Sequence, residues 1–206
     1  FIFGTDEETL WRCMNRYNQI EEQADLGFAP DSSFPLTYAE KGLLQVKLHG
    51  PGWDDLPLQA GQALNVVPDK ATYAGHRLEE LLPVLDQSGV QYSQTEDSVT
   101  VMGVSKHSKD AAEGVNAIVG LAESLSLIQP HPALLFIADA VGEDATGEAL
   151  FGKITDEPSG DLSFNLATLV IDQEKSEIGI DIRIPVLADK ENLVARLQEI
   201  AASYQL

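Results

Sequence analysis

Ser176-Glu177-Ile178-Gly179-Ile180-Asp181-Ile182-Arg183-Ile184-Pro185 alternates without a break. Ile178, Ile180, Ile182 and Ile184 face one way, and Glu177, Gly179, Asp181 and Arg183 face the other. Successive side chains of a strand point to opposite faces, so this period of two predicts a strand with one apolar face. A sheet covered on one face only is an antiparallel sheet. A strand over 164–172 leads into it. Far upstream, from Leu43, the pattern recurs: Leu44, Val46 and Leu48 alternate with Gln45, Lys47 and His49 until Gly50-Pro51-Gly52 ends the run.

Helical spacing fills much of the remainder. Residues 6–20 predict a helix, with Thr5 as N-cap, Glu8 at the capping-box position, and Leu10, Cys13, Met14 and Tyr17 on one face. A strand near 63–67 stops at Pro68-Asp69, and a helix follows with Leu78, Leu81, Leu82 and Leu85 aligned, which Pro83 should kink or end early. Strands near 90–94 and 98–103 flank the turn Thr95-Glu96-Asp97. Val115, Ile118, Val119, Ala122 and Leu125 predict a helix over 110–127, and Leu193, Val194, Leu197, Ile200 and Tyr204 another over 189–204. Residues 128–160 read as loops with a short helix or two. Strand, strand, Pro and helix occur at 43–86 and again at 163–204, a weak repeat. The expected fold is therefore α/β of the α+β kind: two similar halves, about 43–127 and 128–206, each an antiparallel sheet with helices on one face.

Composition narrows the function. The 206 residues carry 33 acidic and 13 basic side chains, a net charge of −20, which repels nucleic acid and anionic membrane. No apolar run approaches the ~18 residues of a membrane span. One cysteine, Cys13, allows no intrachain disulfide, and a cytoplasmic setting fits. The chain opens Phe1-Ile2-Phe3-Gly4-Thr5, a strand end running into a turn, so we expect a piece of a longer polypeptide.

Gly147 to Lys153 reads Gly-x-x-x-x-Gly-Lys, but Ile154 stands where a phosphate loop needs Ser or Thr. Asp6-Glu7-Glu8 allows two readings. Acids in a first helical turn complement the helix dipole, at ~0.3–1 kcal/mol each. Adjacent carboxylates at a strand-to-helix turn can also bind a metal and act as a general base. Asp31, in the loop 27–35, reads as a turn residue; Asn65 as a support for the bend before Pro68; His107 as a loop histidine after a strand. Arg183 reads as a same-face ion-pair partner of Asp181 or Glu177.

The ordered set resembles a known family. Gly4-Thr5-Asp6-Glu7-Glu8-Thr9 is followed by Gly27-Phe28-Ala29-Pro30-Asp31 with Phe34-Pro35, then Glu40-Lys41-Gly42. Asn65-Val66-Val67-Pro68-Asp69, Gly103 with His107, Gly114 with Asn116-Ala117, and Ile182-Arg183-Ile184-Pro185 complete it. In content and order these resemble the di-zinc dipeptidases of the PepV type, relatives of the aminoacylases and carnosinases. The resemblance implies that residues 1–42 form an edge of a metal-binding catalytic domain and 43–206 an inserted lid domain. It implies Glu7 as the general base that activates a zinc-bound water, Glu8 as a ligand of one zinc and Asp31 of the other. It implies His107 as the donor to the tetrahedral oxyanion, and Asn65 and Arg183 as substrate-binding residues, the arginine on the C-terminal carboxylate.

The implied substrate is a dipeptide and the implied cofactor is zinc, two ions per complete active site. Since a duplicated lid half can stand in for a partner's lid, a monomer is also implied. Lys106 and Ala111 depart from the family, which often has a small residue before the histidine and a proline four after it. The family's upstream His-x-Asp, bridging Asp and late metal His have no counterpart, so this chain alone should be inactive and bind zinc weakly. The rival expectations are a non-catalytic lid or dimerisation module and a related N-acyl amino acid amidohydrolase.

Overall fold

The computed structural model describes residues 3–4, 11–28, 30 and 34–206. It divides into two units, 1–38 and 39–206. In the first, helix α1 (Arg12–Ile20) has no buried residue. The start of the expected helix, with Glu7 and Glu8, lies outside the described residues, as does Asp31 of the 27–35 loop.

The second unit is mixed α/β with antiparallel sheets, as the alternation predicts. Its elements run β1 (Gly42–Pro51), β2 (Leu58–Ala60), β3 (Lys70–Tyr73), α2 (Leu78–Ser88), β4 (Tyr92–Gln94), β5 (Val99–Met102), α3 (Ala117–Ser126), α4 (Pro132–Leu135), α5 (Glu148–Phe151), β6 (Thr155–Asp156), β7 (Gly160–Asp161), β8 (Ser163–Ile171), β9 (Lys175–Ile184) and α6 (Lys190–Ser203). One sheet has the order β1-β9-β8-β2, another β3-β5-β4, and β6 pairs with β7. Strand pairing therefore crosses the expected division at 127/128. β1 and β2 join β8 and β9, while β3, β4 and β5 form their own sheet.

Register follows the alternation. Leu44 lies opposite Ile182, Val46 opposite Ile180 and Leu48 opposite Ile178, and Phe164 and Leu166 continue those rows on β8. All four isoleucines are buried, each contributing ~1.5–3 kcal/mol relative to an exposed side chain. α3 packs against β8 and also against β3 and β5, so it sits between the two sheets. Nine of its ten residues are buried, as expected for a helix apolar on every side.

Several local expectations are corrected. The 63–67 strand is replaced by β2, a turn at Leu64-Asn65 and a single bridge from Val66 to His107. The 110–127 helix is broken in two: a 3-10 turn, Ser108–Glu113, and α3. The break is physical, because Val115 pairs with Val104 as an isolated bridge and Asn116 caps α3. α2 does not end at Pro83 but continues to Ser88. Pro83 is exposed, so the carbonyl it leaves unbonded can turn to water, while Leu81 and Leu85 hold the buried side. Gly147 to Lys153 enclose the four residues of α5, with no loop to cradle a phosphate.

The second face of the large sheet is also covered. The 3-10 turn packs on β8 and β9. At Gly179 a Cβ would stand 2.2 Å from Thr168 Oγ1 and 2.7 Å from Leu64 Cδ2, so only glycine admits this approach. That cover buries Asp181, Asn165 and Ser163.

Candidate functional site

The covered polar face begins as rows of the sheet. Leu43, Arg183 and Ser163 form one row, and Gln45, Asp181 and Asn165 the next. Arg183 Nε donates to Asp181 Oδ1 at 2.8 Å and Nη2 to Oδ2 at 3.4 Å. Gln45 Nε2 adds a bond to Asp181 Oδ2 at 2.9 Å. Of the two expected ion-pair partners Arg183 takes Asp181, while Glu177 pairs with Lys47 at 2.7 Å. The Lys47 hydrogen bond leads the effects holding the Glu177 carboxyl below its usual range, against a smaller opposing desolvation. Arg183 also reaches out of its strand, since Nη2 donates to Ser108 Oγ at 3.2 Å.

Ser108 joins the site together. It is fully buried. Its N–H donates to the Asn65 carbonyl at 2.9 Å, its carbonyl accepts from the Ser163 hydroxyl, and its hydroxyl accepts from Arg183. Next to it, His107 bridges Val66, and Val67 N–H donates to Lys106 O at 2.8 Å. Asn65, His107 and Arg183 are thus brought to one place by the residue after the histidine. His107 and Asn65 are exposed there.

His107 has a defined tautomer. Its Nδ1 accepts from Lys109 N–H at 3.2 Å, capping the 3-10 turn. The ring proton of a neutral imidazole then sits on Nε2, which has no partner among the described residues. Lys106, beside it, turns to Glu113 at 2.9 Å.

Asn165 is the other residue that the sequence did not single out. Its amide donates to Leu64 O and Val66 O, both at 3.0 Å, one residue to each side of Asn65. Its Oδ1 has no partner among the described residues. Asn165 lies inside the run from Phe164 to Ile171, where nothing distinguishes it from a strand residue facing solvent. Ser108 follows a histidine in a stretch without periodicity.

A cavity of about 280 Å³ lies against the end of the same turn, lined in part by Ala111, Gly114, Asn116, Asn165 and Phe164. A groove of about 410 Å³ takes in Val66, Val67, Pro68 and Lys70. Among the described residues, no three of His, Cys, Asp and Glu are grouped to hold a metal ion, and no helix is long and apolar enough to cross a membrane.

The chain is similar to proteins named as putative dipeptidases. It is 33% identical, over its whole length and 49% of the relative's, to the Bacillus subtilis protein named "Putative dipeptidase YtjP". Staphylococcal proteins with the same form of name match it at 29% identity in Staphylococcus haemolyticus, over 98% of this chain and 49% of the relative, and at 34% in Staphylococcus aureus strain MW2, over 89% and 45%. The chain spans about half the length of the curated relatives it matches. No family model matches it.

Proposed function

We propose that this chain forms the substrate-holding lid and one edge of the catalytic domain of a zinc-dependent dipeptidase. The observation that carries the reading is the meeting of Asn65, His107 and Arg183 around Ser108. Three residues from distant stretches supply a carboxamide, an outward imidazole N–H and a guanidinium fork. These are the groups needed to hold a short substrate with a carboxylate end. A guanidinium nitrogen donates charge-assisted hydrogen bonds to a carboxylate. Asp181 and Ser108 engage Nε and Nη2 of Arg183, leaving Nη1 without a partner among the described residues and available to a carboxylate. The Nε2–H of His107 suits an oxygen that gains negative charge during attack on the peptide carbonyl. Asn65 offers both a donor and an acceptor to the substrate backbone.

Zinc belongs to the proposal through Glu8 and Asp31, with Glu7 as base. All three lie outside the described residues. They give at most one ligand per ion, against the three protein ligands usual at a catalytic zinc, so the described residues do not make up a zinc site. Further ligands have to come from beyond this chain, and the chain by itself is expected to be inactive.

The test is His107→Ala in the complete enzyme, assayed on free dipeptides and on N-acetyl amino acids, with kcat, KM and zinc content measured together. An oxyanion donor acts mainly in the transition state, so kcat should fall ~10²–10³-fold with little change in KM and no loss of zinc. Unchanged kcat on both substrates would reject the catalytic assignment. Turnover confined to N-acetyl amino acids would point to the related amidohydrolases.

A further inference from the structure

The site stands on two buried side chains of the polar face of the sheet. Asn165 and Asp181 lie opposite each other on β8 and β9, and both are buried, at 1% and 0% exposure. Asn165 bonds the carbonyls on either side of Asn65. The stretch it holds is also the one that bridges His107 and accepts from Ser108 N–H. Asp181 holds the Nε edge of Arg183.

The strand is shaped for this. Asn165 pairs with Asp181 on the polar face, yet Leu169 pairs with Ile178 on the core face. Residues four apart share a face in an unbroken strand. The register shift between Leu166 and Thr168 inserts one residue and puts the two on opposite faces. Bulges re-aim side chains in this way. Here the bulge lets β8 bury Leu169 and Ile171 in the core and still turn Asn165 toward the segment carrying Asn65.

We propose that Asn165 and Asp181 form a positioning rung beneath the site, Asn165 setting Asn65 and His107 and Asp181 setting Arg183. This rests on the dipeptidase reading above. The two arms of the rung have different kinetic signatures. Asn165 acts through the group that stabilises the transition state, so its loss lowers kcat. Asp181 acts through the group that binds the carboxylate, so its loss raises KM for substrates that have one.

The experiment compares Asn165→Ser, which can keep at most one of the two bonds, with Asp181→Asn, which keeps an acceptor for Arg183 but not its charge. Amide hydrogen exchange is read first, on the chain itself. Asn165→Ser should speed exchange at Val67 and Ser108 at least tenfold and leave the β8–β9 amides unchanged. Acceleration throughout the sheet, or none at Val67 and Ser108, would overturn the clamp.

Steady-state kinetics on the complete enzyme follow, with free dipeptides and their C-terminal amides. Asn165→Ser should lower kcat at least tenfold on both, with KM within about threefold. Asp181→Asn should raise KM at least tenfold for the free dipeptide and leave the amide within about twofold. Wild-type kinetics in both variants would overturn the proposal. His107→Ala and Arg183→Ala run alongside. If these controls leave hydrolysis unaffected, the dipeptidase reading fails and the exchange measurement alone decides the rung. If they impair it and the rung variants do not, the positioning proposal fails by itself.

Discussion

Arg183 has two loads, and they separate on mutation. Its fork faces Ser108 and the site, while its Nε edge neutralises a carboxylate with no exposure to solvent. Arg183→Ala should leave Asp181 with Gln45 as its one side-chain partner among the described residues. Removing one partner of a buried pair costs ~3–5 kcal/mol, and the partial exposure of Arg183, 21%, puts the loss near the lower end. Urea unfolding of the variant should show a loss of about 3 kcal/mol, and adding Asp181→Ala should restore part of it. Under the proposed function, the same variant should be penalised on free dipeptides and much less on their amides. A penalty equal on both, with the stability loss intact, would leave Arg183 as an ion-pair residue only. The alternation of 177–184 made this pair legible, because it put Asp181 and Arg183 on one face. It could not show that the face is covered. Ser108, which belongs to that cover, and Asn165, which bonds to it from the sheet, carry no periodic signal.

At the level of elements, strands and long helices were readable because their apolar period is long, and the connections were not, because single side chains decide them. Asn116 makes the expected 110–127 helix begin only at Ala117 by capping the N-terminus of α3, with Oδ1 accepting from Ile118 and Val119 N–H, while its amide donates to Leu166 O at 2.6 Å. Gly103 is a second such point. A Cβ there would stand 2.1 Å from the Val115 carbonyl, so Gly103→Ala must push apart the pairing of Val104 with Val115 just upstream of His107. The expected cost is ~1–3 kcal/mol by thermal melting, and a loss below 0.5 kcal/mol, on the order of an ordinary surface change, would contradict it.

α4 depends in the same way on His131, which is 1% exposed. Its Nδ1 accepts from Ala133 N–H at 3.1 Å and its Nε2 meets Pro51 O at 3.1 Å. Burial pushes its pKa down, and the bond to Pro51 opposes this only in part. The unfolded chain therefore takes up a proton before the folded one does. Stability is full above the ordinary histidine range and falls as the pH drops through it toward the folded value. His131→Asn keeps a cap acceptor and should flatten the melting profile between about pH 7.5 and 5.5. An unchanged slope would remove His131 as its source.

The whole molecule carries an imbalance that its ion pairs do not relieve. There are 33 acidic and 13 basic side chains. Pairs such as Arg77–Glu80, Lys106–Glu113 and Arg196–Glu199 join side chains at least 39% exposed, and exposed pairs contribute ~0–1 kcal/mol each. The remaining carboxylates repel one another across the surface. Salt has opposite effects on the two terms, weakening the pairs and screening the repulsion, with a Debye length of ~30 Å at 0.01 M and ~8 Å at 0.15 M. With a net charge of −20, the repulsion is long-ranged and the pairs among the described residues are few, so screening should dominate. Raising sodium chloride from 0.01 to 0.15 M should therefore raise Tm, by about 2–4 °C for each kcal/mol of repulsion relieved in a chain of this size. Sodium and potassium chloride should act alike, since the effect depends on ionic strength. A Tm that falls with salt would mean that the local pairs outweigh the repulsion. A rise confined to divalent cations would replace general screening with binding to particular carboxylates.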